Sequence, residues 1–190
     1  TVPVINGLTD LSHPCQALCD YQTILEHKGR LQGLKIAFIG DGNNMAHSLM
    51  MGAAKLGLHF AIASPEGYEP SAEVIKLCRE SAEQTGAKID VLRDPEEAIA
   101  DADIVYTDVW ASMGQEAEQK QREEAFRTYQ VNDELVKRAK PDYLFMHCLP
   151  AHRGEEVTES VIDGDHSIIF DQAENRLHAQ KAIMAALMGD

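Results

Sequence analysis

The apolar positions of this chain come in short blocks divided by charged or turn-forming stretches. LKIAFIGD (34–41) is a mostly apolar run that stops at Gly40 and Asp41, and NNMAHSLMMGAAKLG behind it carries helical spacing as far as Gly57. The alternation repeats, with LHFAIAS (58–64), KIDVLRD (88–94) and DIVYTDVW (103–110) as strands and SAEVIKLCRESAEQTG and PEEAIADA as the helices between them. Beyond them VNDELVKRAK predicts a helix, YLFMHCLP (143–150) a buried strand, HSIIFD (166–171) a last short strand, and AENRLHAQKAIMAALMGD a closing helix. Strands alternating with helices predict a parallel sheet: an α/β, doubly wound, Rossmann-like domain of about five strands with helices on both faces. The charged run GQEAEQKQREEAF (114–126) predicts a solvated helix, and residues 1–28 stand apart as a turn-rich start followed by a helix ahead of the first strand.

Composition narrows what such a domain does. With 190 residues and 44% apolar composition the chain can bury one sizeable core. A formal net charge of -14 argues against nucleic acid, whose phosphates need clustered Lys and Arg. No apolar run approaches bilayer length, and the opening TVPVINGLTDLSHPCQ has neither the basic nor the apolar region of a secretory signal. A cytoplasmic protein with no membrane partner is the expectation. Cysteines at 15, 19, 78 and 148 are too scattered for a disulfide framework, so reduced thiols are expected.

Ligands of open α/β sheets sit at the carboxyl ends of the strands, which singles out residues 41–44, 108–114 and 147–150. IGDGNN after the first strand invites a dinucleotide reading, but Met45 stands where the third glycine belongs and no carboxylate ends the second strand. A nicotinamide cofactor is not expected. Asn43 and Asn44 beside free helix N–H groups suit a small carboxylate better than a pyrophosphate, although an ordinary helix cap explains Asn43. In Asp108 to Gly114 an acid, a hydroxyl and a flexible glycine follow a buried strand; either they hold a substrate ammonium, or they form a plain loop with Trp110 as core. His147 and Cys148 raise a nucleophile–base pair, but neighbours in a continuing strand point to opposite faces. A zinc site from His13, Cys15, Cys19, His147 and Cys148 competes with core packing of a C-x-x-x-C helix, and no metal is expected.

Taken together and in this order, HPCQ (13–16), GDGNN (40–44), DxxxSMG (108–114), HCLP (147–150) and AENR (173–176) resemble the ornithine carbamoyltransferase family over essentially the whole chain. The resemblance implies a transferase acting in arginine and citrulline metabolism: carbamoyl phosphate plus L-ornithine gives L-citrulline plus phosphate, with no cofactor. It makes 29–170 the ornithine domain, 1–28 a link to a carbamoyl phosphate domain, and 171–190 a helix returning toward it. That amino-terminal domain, with its Ser-x-Arg-Thr-Arg loop and much of the contact of a homotrimer, has no counterpart here, so the isolated chain is expected to be inactive. An ornithine-binding module without catalysis is the alternative.

The same resemblance assigns roles. His13, Gln16 and Arg176 would meet carbamoyl phosphate, His13 and Gln16 at its carbamoyl group and Arg176 at its oxygens. Asn44 would hold the α-carboxylate of ornithine, and Asp108 and Ser112 its α-ammonium, with Met113 beside them. Cys148 and Leu149 would lie by the δ-amine, Cys148 as proton acceptor or orienter. Cys148, His13, Asp108 and Arg176 are the residues expected to act in catalysis. An intact SMG and Asp108 favour ornithine over putrescine, while AHRGEE after HCLP is a form of biosynthetic members.

Overall fold

The computed structural model describes residues 2–111 and 118–189. The expectations placed on Ser112 and Met113 lie outside the described residues. Helix α1 (Pro14–Lys28) precedes strand β1 (Lys35–Ile39); α2 (Asn44–Leu56), β2 (His59–Ala63), α3 (Ala72–Ala82), β3 (Ile89–Leu92), α4 (Pro95–Ile99) and β4 (Ile104–Thr107) follow. Then come α5 (Gln119–Phe126), α6 (Asp133–Val136), β5 (Leu144–His147), α7 (Glu159–Ile162) and α8 (Ile169–Met188). All strand pairs are parallel and the order is β3-β2-β1-β4-β5, so the direction of winding reverses between β1 and β4.

Local chemistry explains the element ends. Pro14 in the first turn of α1 presets a helical φ, and Gly29 closes it at φ 69, a conformation that costs a glycine little. The Asn43 side chain accepts from the backbone N–H groups of Met45 and Ala46 and so starts α2. Along the strands, alternate residues separate onto two faces. Ile36, Phe38, Phe60, Ile62, Ile104, Tyr106 and Met146 pack with α1, α2 and α3; Ala37, Ile39, Ala61, Ala63, Val105 and Phe145 pack with α4, α5, α6 and α7. A sheet covered on both faces is buried along nearly its whole length, as parallel sheets are.

Two expectations need correction. HSIIFD is not a strand: Ser167 makes an isolated bridge to Phe145, and Ile169 already begins α8. Ile168 and Ile169 are buried as the run demanded, but against opposite sides of the sheet, an outcome that an apolar pair allows equally well in a helix start. The described part of the 114–126 run is also not simply solvated. Arg122 and Phe126 turn inward and are buried.

Candidate functional site

Three neighbouring strands release their chain ends together. Pairing register sets Ile39, Thr107 and His147 in one row across β1, β4 and β5, so the loops after them leave the sheet side by side. This is the crevice at which strand order reverses, the usual ligand position of such sheets. A cavity of about 350 Å³ opens there, lined by His13, Asn44, Asp108, Cys148, Leu149 and Arg176, with Leu8, Met45, Val109 and Pro150 as apolar wall. Gln16 does not line it; it is 2% exposed and sits behind Arg176.

Asp108 is the hub of the cavity. Its Oδ1 accepts from Val109 N at 2.8 Å and from Cys148 Sγ at 3.1 Å, and its Oδ2 accepts from Asn43 Nδ2 at 2.8 Å. A carboxylate oxygen offers about two acceptor directions, and among the described residues Oδ2 uses one of them. Asn43 therefore caps α2 with its oxygen and steadies the acid with its nitrogen. Burial, and then the charge of Asp108, holds the Cys148 thiol well above the ordinary thiol range. The thiol proton is already donated to Asp108, an arrangement that suits the orienting role read from sequence.

His147 is occupied elsewhere. β5 ends on it, so strand alternation no longer governs Cys148. Its Nδ1 accepts from Leu149 N at 2.9 Å, which leaves the proton on Nε2, facing Glu156 Oε1 at 3.3 Å, with both side chains wholly buried. Leu149 holds φ 58, in the left-handed region, and that bond supports it there. The zinc grouping weighed from sequence does not assemble: Cys15 Sγ donates to Asn6 O and Cys19 Sγ to Gln172 O. Among the described residues, Asp108, His147 and Cys148 bring ligand atoms within 4.8 Å of one another, but two of them are already joined by the shared thiol proton. Gly42 comes so close to Glu69 and Pro70 that a Cβ would lie 2.0 Å from Pro70 N. The glycine of GDGNN thus serves a close approach within the chain.

On the opposite wall, burial followed by the nearby Arg176 charge lowers the His13 pKa below its usual value and so favours the neutral ring. Among the described residues, His13 Nδ1 is buried with no hydrogen-bond partner. Asn44 Nδ2 donates to Thr9 O at 2.8 Å, so its amide nitrogen is engaged by the chain's own backbone.

The family model for the aspartate/ornithine carbamoyltransferase Asp/Orn binding domain matches residues 32–187. The chain belongs to this family. An ornithine carbamoyltransferase of Thermococcus kodakarensis is 66% identical over 189 residues, which is 100% of this chain and 60% of that protein. The solved ornithine carbamoyltransferase of Pyrococcus furiosus superposes with a TM-score of 0.96 at 62% identity, over 100% of this chain and 60% of the other. At 35% identity, the ornithine transcarbamoylase structure of Giardia lamblia still gives a TM-score of 0.89 over 97% of the chain. The chain spans about 60% of the length of the curated relatives it matches.

Sequence reading of this carbamoyltransferase-family domain missed two buried ionic centres. Arg122 Nη1 reaches Asp41 Oδ2 at 2.7 Å and Trp110 O at 2.9 Å, and its guanidinium lies 5.0 Å from the centre of the Tyr68 ring. One cation thus ties the loops after β1 and β4 together. Asp20, wholly buried in α1, accepts from Gln16 Nε2 (2.8 Å), Gln172 Nε2 (2.7 Å) and Tyr106 O–H (3.0 Å). Its signal in the sequence was a polar stripe, Gln16, Asp20 and Thr23, on a helix otherwise rich in core residues.

Proposed function

We propose that this chain supplies the ornithine half-site of an enzyme that converts carbamoyl phosphate and L-ornithine to L-citrulline and phosphate. The observation that carries the proposal is the convergence of Asp108, Cys148, Leu149, Asn44, His13 and Arg176, from separate stretches of the chain, on one cavity at the switch point of the sheet. In this reading the second acceptor direction of Asp108 Oδ2 takes the α-ammonium, and Asn44 turns from Thr9 to the α-carboxylate. The side chain of ornithine then runs along the apolar wall toward Cys148.

The δ-amine must attack as the free base. With a lysine-like pKa of about 10.4, roughly one molecule in 2,500 is neutral at pH 7, a cost of about 4–5 kcal/mol. An apolar wall lowers that cost by making the charged form expensive. The Cys148 thiol, its proton committed to Asp108, offers sulfur lone pairs to an amine N–H and so aims the nitrogen lone pair at the carbamoyl carbon. Arg176 meets the phosphate oxygens, and neutral His13 donates to the carbamoyl oxygen as it gains negative charge. Exposed Leu18 and Leu25 on α1 and Leu177, Met184 and Leu187 on α8 favour this side of the domain as the one that meets the carbamoyl phosphate domain.

Citrulline formation by the chain alone, and after addition of the amino-terminal portion of a relative, tests the proposal. Turnover on mixing is expected. Ornithine binding with no citrulline in either case would leave a binding module without catalysis.

A further inference from the structure

Arg176 enters the cavity from α8 with its guanidinium already held at every nitrogen. Its Nη1 donates to Gln16 Oε1; Gln180 Oε1 accepts from Nη2 at 2.8 Å and from Nε at 3.0 Å. Gln16 in turn donates from Nε2 to Asp20 Oδ1 at 2.8 Å. The bridge has a definite sense. An ionised carboxylate only accepts and a guanidinium only donates, so the amide between them must place its nitrogen on Asp20 and its oxygen on Arg176. We infer that Asp20 is a positioning residue, which by fixing the amide of Gln16 locks Arg176 in the orientation that meets the anionic substrate; this rests on the proposed carbamoyl transfer.

Asp20 sits where a carboxylate is costly. It is wholly buried, and desolvation pushes its pKa up to about 6, against the lowering effect of its bonds to Gln16, Gln172 and Tyr106 and of the Arg176 charge. The groups that face it are Gln16, Cys19 and Tyr21 on its own helix, Tyr106 on β4, Gln172 and Arg176 on α8, and Cys148 beyond β5. Among these, Arg176 is the one cation, and Gln16 is the side chain that joins the two. A folded pKa above the unfolded value means that ionised Asp20 weakens the fold once pH rises past about 6, and that this cost is absent below the ordinary carboxylate range. A group kept ionised at neutral pH at the expense of stability is better explained by what it positions than by what it holds together.

The test uses Asp20→Asn, which keeps an acceptor, Asp20→Leu, which removes it, Gln16→Met, and the double variant Asp20→Leu with Gln16→Met. In the ligand-free chain, nitrogen relaxation at Arg176 Nε reports the lock without any turnover. An order parameter near the rigid value of about 0.85 is expected in the wild type and Asp20→Asn, falling below about 0.6 in Asp20→Leu and Gln16→Met. In the protein assayed with its carbamoyl phosphate domain, Asp20→Leu should lose about tenfold to a hundredfold in kcat, with a smaller change in KM, the scale set by misplacing one group. Asp20→Asn should recover most of that loss with a melting temperature no lower than the wild type. The double variant should be no slower than Gln16→Met alone. A rigid Arg176 in folded Asp20→Leu, or losses that multiply in the double variant, would overturn the inference. Should Asp20→Leu fail to fold, a rigid Arg176 in Gln16→Met, where Asp20 keeps two other donors, would overturn it equally. A wild type that makes no citrulline would sink the functional reading, while the relaxation data would still decide whether Asp20 positions Arg176.

Discussion

The two ends of the sheet are built from the same residue types and put to opposite uses. At the amino end Asp103 accepts from Lys35 N at 2.9 Å and from Lys140 Nζ at 2.7 Å, and Lys35 Nζ donates to Ala100 O. These charges close on the chain itself and knit the starts of β1, β4 and β5. At the carboxyl end Asp108 takes its bonds from Val109 N, Cys148 Sγ and Asn43 Nδ2, none of them a cation, and among the described residues His13 Nδ1 on the facing wall is buried without a hydrogen-bond partner. Buried polar groups are normally satisfied, so a buried carboxylate without a cation and a buried ring nitrogen without a partner, both on the walls of one cavity, mark where a ligand is to supply partners. The comparison separates a scaffold from a site without appeal to the relatives.

The largest expected effect falls on the ion pair that braces the open end. Arg122→Met leaves Asp41, already raised in pKa by burial, without its cation. Breaking one partner of a buried pair costs about 3–5 kcal/mol. Urea unfolding should show a loss of that size; a loss under about 1 kcal/mol, as for an exposed pair, would mean that Asp41 is free to reach water. Next comes Asp108→Asn, which keeps the shape and removes the charge. Losing a bond to a charged acceptor costs about 1.5–3 kcal/mol, or about 10- to 150-fold in kcat/KM for ornithine. The same substitution should speed alkylation of Cys148 near pH 8, because the charge that helps hold the thiol proton is gone. Unchanged alkylation would show that burial alone sets the thiol.

How far the sequence anticipated this depends on which residues were asked to speak. Apolar runs 34–41, 58–64, 103–110 and 143–150 announced the sheet because a strand covered on both faces must be apolar throughout. The loops after them announced the cavity because topology puts ligands there. The run 166–171 failed because a short apolar pair satisfies a helix start as well as a strand. Arg122 stayed hidden because the residues next to it, Glu118 to Gln121 and Glu123 to Glu124, are all polar, and only the tertiary position of Asp41 turns it inward. The α1–α8 seam was hidden for a related reason. Gln16, Asp20 and Thr23 form one polar stripe and Gln172, Asn175, Arg176 and Gln180 another; each by itself looks solvated, and facing each other buries all but Arg176 and Gln180, which are half-buried. Asn175 Nδ2 donating to Thr23 Oγ1 at 3.0 Å, with Gln172 on Asp20, shows the match. Each stripe shows in its own helix, but nothing in either says that the two face each other.

The smallest effect is expected at the closed end, and it sharpens the contrast best. Lys140 is 39% exposed at its side chain while its partner Asp103 is nearly sealed. Lys140→Met removes the ammonium but leaves Asp103 the Lys35 N–H and opens the vacated position to water, so the cost should stay near that of an exposed pair, up to about 1 kcal/mol. Citrulline formation and the alkylation rate of Cys148 should not change, because among the described residues no side-chain bond links Asp103 to the residues around the cavity. A slower reaction with unaltered stability would show the two ends to be coupled through the sheet, and the division into scaffold and site would fail. Unchanged kinetics beside a small loss of stability is the result that keeps the amino end purely structural.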